Sequence, residues 1–260
     1  MKPLKSFLIF IKKQASSALF GGIMLASIVI TKYVNIPGIY RYDLLFIIAI
    51  ITQVVLILMK LETKEEVFAI IVFHICAMVM ELYKTSPLVG SWTYPESAYI
   101  AISTVPLFTG FMYSSVGSYM ARAWRINNFR FINLPSKFLL ILMAIAIYVN
   151  FFTNHFTFDV RYILFILLIV MFWKTKFYAT LTEKEYQIHP LFAAGLMAIF
   201  LWIAEQIGTF AQAWVYPDQT LGWKPVSFHM FTSWYMLLIF SFVIIALLYK
   251  KEEPLRGVAK

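Results

Sequence analysis

Cysteine, histidine and charge are all scarce in this chain, and each scarcity excludes something. The single cysteine, Cys76, lies inside an apolar run, so neither an intrachain disulfide nor a cysteine-based metal site is available. Four histidines with no i, i+3 or i, i+4 pairing make a poor metal set, and no metal is expected. There is no His-Glu-x-x-His, no Walker loop and no Gly-x-Ser-x-Gly elbow, and there are too few histidines for a histidine-box desaturase. No cofactor follows from the sequence. Charged residues make up only 13% of the chain, against roughly 25% in soluble domains. Apolar residues reach 61% and mean hydropathy is +0.77. That leaves too little polar surface to cover a water-soluble globule. A secreted disulfide scaffold, a disordered chain and a cytosolic enzyme are excluded.

What the chain does have is long apolar runs. A spanning helix needs about 20 mostly apolar residues. Eight segments qualify: 15–34, 43–60, 66–84, 98–121, 137–153, 160–178, 190–209 and 228–249. The expected fold is therefore an all-α, polytopic membrane bundle of eight transmembrane helices, in one integral membrane domain over residues 1–260. Lys12 and Lys13 interrupt the opening apolar stretch, so no cleaved signal peptide is expected.

With eight spans both termini share a side. If that side is the cytoplasm, 17 Lys and Arg residues lie inside, and only Lys32, Arg41, Lys84, Arg161 and Lys224 lie outside. The net charge of +9 is then an orientation device and a contact with anionic headgroups. Membrane lipids are the expected partners, and no nucleic acid is needed to explain the charge. Two stripes of small residues, Ala18, Gly22, Ala26 and Gly110, Ser114, Ser118, are expected to let helices pack closely.

An internal duplication is the most informative pattern. Arg41-Tyr42 recurs as Arg161-Tyr162, an offset of 120. At the same offset Leu61-Glu62-Thr63-Lys64-Glu65-Glu66 matches Leu181-Thr182-Glu183-Lys184-Glu185-Tyr186. The next apolar run ends in Glu81 in one half and Glu205 in the other. Then follow Trp92-Thr93-Tyr94-Pro95-Glu96 and Trp214-Val215-Tyr216-Pro217-Asp218, offset by 122. These features predict two parallel repeats, about 41–125 and 161–249, with an N-terminal helix in 1–40 and a cytoplasmic tail at 250–260. An interface between such repeats is where a site would sit.

Glu81 and Glu205 lie about 15 residues, or roughly 22 Å, from the inner ends of their helices. An ionisable residue at that depth is a functional candidate by default, here as an acid/base pair; the plain alternative is a hydrogen bond to a neighbouring helix. His74 sits seven residues before Glu81, on the same helical face, where the second half has Ala198. It is a candidate proton relay, or equally a helix–helix donor. The Trp-x-Tyr-Pro-acid turns have the composition of interfacial anchors. Kept in order in both halves, they are also candidates for an aromatic mouth of Trp92, Tyr94, Trp214 and Tyr216, with Glu96 and Asp218 at its rim. His229, opening the last span, joins the candidate substrate-binding set. Arg122, Arg125 and Arg130 form a basic cluster able to hold phosphate, although orientation alone accounts for it. Glu62, Glu65 and Glu66 are expected in a solvated loop.

Glu81-Leu82-Tyr83-Lys84, Gly90-Ser91-Trp92-Thr93-Tyr94-Pro95-Glu96, and Gly110-Phe111-Met112-Tyr113 with Val116-Gly117 and Arg122 together resemble a bacterial family. It is the family of integral membrane proteins called domain of unknown function 817, or YoaT-like. The resemblance covers nearly the whole chain and implies a multi-pass protein of the bacterial cytoplasmic membrane, without an assigned chemistry. Glu205-Gln206-Ile207-Gly208-Thr209, Trp214-x-Tyr216, Gly222, Val226 and Trp234 are similar to the pattern of membrane carotenoid hydratases. The duplicated Trp-x-Tyr turns also resemble heterodimer-type lycopene cyclases. Those similarities imply protonation of a polyene by paired acids. The sequence departs from both: only Glu65-Glu66 echoes the cyclases' Pro-x-Glu-Glu, and Ala213-Trp214 replaces the hydratases' Phe-Gly.

The leading expectation is thus a membrane protein that binds or converts an isoprenoid- or carotenoid-like lipid. A small-solute or proton-coupled transporter is the alternative, and a ligand-free scaffold the third. Oligomeric state stays open, a homo-oligomer included.

Overall fold

A computed structural model describes residues 3–180 and 184–249 of the chain. The Leu181-Thr182-Glu183 part of the duplicated loop and the 250–260 tail lie outside the described residues. The chain is mostly helical. Its helices are α1 (Pro3–Ser17), α2 (Leu19–Tyr33), α3 (Arg41–Leu58), α4 (Lys64–Lys84), α5 (Phe108–Ile126), α6 (Lys137–Thr153), α7 (Arg161–Phe172), α8 (Pro190–Phe210) and α9 (His229–Tyr249). Short strands interrupt them: β1 (Ala101–Ile102) pairs with β2 (Val105–Pro106), and β3 (Arg130–Ile132), β4 (Lys176–Thr180) and β5 (Glu185–Ile188) form an antiparallel sheet.

Among the described residues four helices, α3, α4, α8 and α9, are long and apolar enough to cross a membrane. The pair α1–α2, bent by 71° at Ala18, raises the number to five. The other expected segments differ for identifiable reasons. In 98–121 the first part turns back as the β1–β2 hairpin, so α5 starts only at Phe108 and runs on through the polar Gly110, Ser114, Ser118 and Arg122. In 160–178 the helix stops at Phe172, because Phe177 leaves it to join the sheet, where its ring stacks on Phe131 at 4.9 Å. Helix α6 is apolar but has 17 residues.

Local signals start the helices. Thr63 caps α4 in a capping box with Glu66, Ser136 accepts from Leu139 N at the start of α6, and Pro190 opens α8. Packing orders them. Helix α4 lies along α5, and α8 along α9. Helix α2 packs on α3, α5 and α8, while α6 packs on α7, α9 and α4. One core is built mainly from α4 to α9, and a second joins α2 and α3 to Phe108, Ala211 and Ala213.

Only one of the two small-residue stripes is a packing face. Gly110, Ser114, Ser118 and Arg122 are buried. A Cβ on Gly110 would meet the His74 ring at 2.5 Å, so only glycine lets that imidazole lie against α5. On α2 the buried residues are instead Phe20, Met24 and Ile28. Gly22 has no neighbour where a side chain would project, because larger apolar side chains four residues apart bury more surface than the glycine stripe does.

The loop joining α3 to α4 corrects a second expectation. Glu62 and Glu66 are 5% and 1% exposed, and only Glu65 faces outward. Glu62 accepts from Gln53 Nε2 and Ser118 Oγ, and Glu66 forms an ion pair with Arg125 at 3.0 Å. The three arginines do not form one cluster: Arg122 and Arg125 meet at the Leu61 carbonyl, and Arg130 stands apart. Arg122 is buried and donates to the carbonyls of Leu61 and Ser16 at 2.6 and 2.8 Å. Arg130 pairs with Glu185 at 2.8 Å. Each guanidinium is spent on a local partner.

Candidate functional site

The opposite end of the bundle holds a symmetric acid cluster. Glu81 lies one turn before the end of α4 and Glu205 one turn before the end of α8, 1% and 4% exposed. Each is met by the turn that follows its helix. Trp92 Nε1 and Tyr94 Oη donate to Glu81 Oε2 at 2.9 and 2.7 Å. Trp214 Nε1 and Tyr216 Oη both donate to Glu205 Oε1 at 2.7 Å. In both cases the two donors converge on one carboxyl oxygen.

The spacing of Trp and Tyr explains this. In extended backbone, residues i and i+2 point to one side, so Trp-x-Tyr delivers an N–H and an O–H to a single acceptor. The intervening residues face the other way and join the two turns. Thr93 and Val215 exchange both backbone hydrogen bonds at 2.9 Å as an isolated antiparallel bridge. The bridge brings the Trp92 ring edge-on to Tyr216, 6.2 Å between centroids. Glycine makes room on α8: a Cβ on Gly208 would enter the Trp214 ring.

Two residues that the motif reading left out complete the cluster. Tyr113 of α5 lies beside Glu81, Trp234 of α9 lies beside Glu205, and their rings stack at 6.1 Å. Trp234 Nε1 is buried and makes no hydrogen bond among the described residues. The available signal was weak: Tyr113 falls three residues after Gly110, one polar aromatic in an apolar helix. Burial, and the carboxyl beside each, push the Tyr94 and Tyr216 hydroxyls well above their ordinary pKa. They are therefore donors throughout the neutral range. Glu205 is within electrostatic reach of Glu81.

The structure thus brings together Glu81, Trp92, Tyr94, Glu205, Trp214 and Tyr216. Four other candidates stand apart. His74 sits about 10 Å down α4, against Gly110 and edge-on to Phe111 at 4.7 Å, with Nδ1 buried and unbonded. Glu96 is exposed and paired with Arg41. Asp218 is exposed on the 3₁₀ turn Pro217–Gln219, and His229 faces Arg161 at 3.4 Å.

Arg41 is the clasp of this end. Its Nη2 donates to the carbonyls of Ile28 and Ala211, both at 2.9 Å, while Tyr42 Oη reaches the Ala213 carbonyl at 3.0 Å. The Arg-Tyr pair of the first half therefore fixes the segment that carries Trp214.

Below the acids lies a void of about 10 Å³, lined by Phe73, Cys76, Met80, Tyr113, Tyr148 and Ser241 among others. A second cavity, a groove of about 480 Å³, lies between α7, α8 and α9, lined by apolar side chains and His189. Among the described residues no three His, Cys, Asp or Glu side chains converge.

Residues 6–242 match the family described as "Protein of unknown function (DUF817)". The chain belongs to this family. It is similar to "Uncharacterized protein YoaT" of Bacillus subtilis (strain 168), 40% identical over 253 residues, which is 97% of this chain and 95% of the relative. No solved structure matches it. The cluster's residues all fall inside the family's matched range.

Proposed function

We propose that this DUF817 protein is an intramembrane acid–base enzyme acting on an apolar, unsaturated lipid of the isoprenoid type. One observation carries the reading. Two buried carboxyls are each gripped at a single oxygen by a Trp N–H and a Tyr O–H. Neutral donors fix the orientation of an acid without tying it up in an ion pair. An ionisable group kept in apolar surroundings at that cost is poised for proton transfer.

In the redox-neutral form of this chemistry, the protonated glutamate gives its proton to one carbon of a C=C bond, and the positive charge falls on the other carbon or, where a second C=C closes a ring onto it, on that second bond. The ionised glutamate takes a proton from the carbon next to the charge, so the double bond shifts or a ring closes. Trp92, Tyr94, Trp214 and Tyr216 wall the substrate; His74, Glu96, Asp218 and His229 touch neither carboxyl and receive no step. The apolar lining of the groove between α7, α8 and α9 and the similarity to carotenoid hydratases and lycopene cyclases favour this substrate class.

The same reading takes the chain as two parallel repeats in one domain crossing the cytoplasmic membrane eight times, with both termini inside. Support comes from the matching neighbours of α2 and α6, which extend the repeats to α2–α5 and α6–α9. A bridge between Thr93 and Val215, equivalent residues of the two turns, is what a two-fold axis between them would produce.

The test is mass spectrometry of lipids co-purified in mild detergent, with the near-ultraviolet and visible spectrum. A stoichiometric prenyl or polyene lipid is expected, and Glu81→Gln or Glu205→Gln should leave it unconverted. Unchanged binding and conversion in both variants would refute the proposal.

One observation favours a transporter instead. His74 Nδ1, without a partner, lies along the α4–α5 seam between Glu81 at one end and the buried Glu62–Ser118 pair at the other. Proton flux into liposomes that is lost in both Glu62→Gln and His74→Ala would favour that reading.

A further inference from the structure

Beside the acid cluster, the loop that precedes α7 gathers two buried cations against one carboxylate. Lys84 ends α4 three residues beyond Glu81, a rise of about 4.5 Å, and is 5% exposed. Arg161 opens α7 and is 6% exposed. Both hang on the 154–160 loop. Lys84 Nζ bonds Asn154 Oδ1 at 3.0 Å and His155 Nε2 at 2.8 Å. Arg161 reaches Asp159 at 3.1 Å, Thr232 Oγ1 at 2.8 Å and His229 Nδ1 at 3.4 Å. Arg161 and Asp159 are the charges within electrostatic reach of Lys84.

Burial and the Lys84 charge push His155 below the ordinary histidine range, so at neutral pH its Nε2 accepts from Lys84 and its Nδ1 carries a hydrogen. Two cations thus face one carboxylate, Asp159. That acid is already shared with Asn150 Nδ2 at 3.2 Å and Arg161 N at 3.0 Å. Asn154 and His155 take two of the three Lys84 N–H bonds; the third is available. Ser91 Oγ, 3.2 Å from His155 Nε2, donates to the same nitrogen. A cationic pocket with spare N–H donors is suited to a tetrahedral oxyanion.

We propose that Lys84, His155 and Arg161 form an anion site for a phosphate group carried by an anionic lipid. The proposal rests on the acid–base reading only where it makes this phosphate the polar end of the same amphiphile, its tail lying towards Glu81.

The test uses the full chain in detergent. Inorganic phosphate is titrated by calorimetry, and phosphatidic acid is compared with phosphatidylcholine by native mass spectrometry. Retention of phosphatidic acid over phosphatidylcholine is expected, weakened about tenfold or more in Lys84→Gln and in the exposed-site variant His155→Ala. Lys84→Arg should restore it. Competition by inorganic phosphate supports the site and shows that free phosphate is also accepted; its failure to compete, with lipid selectivity kept, supports the site and assigns it to the lipid. No preference between the two lipids together with no phosphate binding, or binding unchanged in both Lys84→Gln and His155→Ala, overturns the proposal. Glu81→Gln should bind phosphate normally, which separates failure here from failure of the acid–base reading.

Discussion

The two ends of the bundle bury acids in opposite ways. Glu66 is buried against an arginine, and Glu62 lies within electrostatic reach of Arg122 beside Gln53 and Ser118. Glu81 and Glu205, buried to the same degree, meet only indole and phenol donors in their hydrogen bonds. Burial alone therefore does not mark a functional acid. The partner's charge does: Arg125 against Glu66 makes a fastener, whereas the neutral donors on Glu81 and Glu205 position an acid and leave its proton free to move.

Breaking the two kinds of site should have different consequences. The largest effect is expected for Glu81→Gln and Glu205→Gln, which should lower lipid conversion about 10²–10⁴-fold with little change in thermal stability, measured by turnover and by melting in detergent. Arg122→Met should do the reverse. It takes the donor from the Ser16 carbonyl and one of two donors from the Leu61 carbonyl, which keeps Arg125, costing about 3 kcal/mol and lowering the melting temperature; residual activity per folded molecule should hold.

Tyr94→Phe and Tyr216→Phe remove one donor each from Glu81 and Glu205. Conversion should fall about tenfold in each. Equal losses would mean that both acids act in one step, and unequal losses would identify which one gives the proton. The smallest effect is expected for Glu96→Gln. Its pair with Arg41 is partly exposed on the Glu96 side, and stability should change by no more than about 1 kcal/mol.

Much of the acid cluster was legible in the sequence because it is written twice. Either Trp-x-Tyr turn alone has the composition of a membrane anchor; its recurrence after Glu81 and again after Glu205 is what singles it out. Apolar runs likewise located α3, α4, α8 and α9. Other features depend on partners distant in the chain. Nothing local shows that Glu62 lies under Ser118, 56 residues away. The hairpin at 101–106 and the strand at 176–180 are apolar enough to pass for helix ends, and only pairing settles their form. On α2 two patterns competed, Ala18-Gly22-Ala26 and Phe20-Met24-Ile28, and the bulkier one faces the core.

The most direct test of the contrast is a lipid profile of the purified wild-type protein beside Glu81→Gln and Glu66→Gln. Wild type and Glu66→Gln are expected to carry the same converted prenyl or polyene lipid, while Glu81→Gln retains its unconverted precursor. One and the same set of ordinary phospholipids in all three would contradict it.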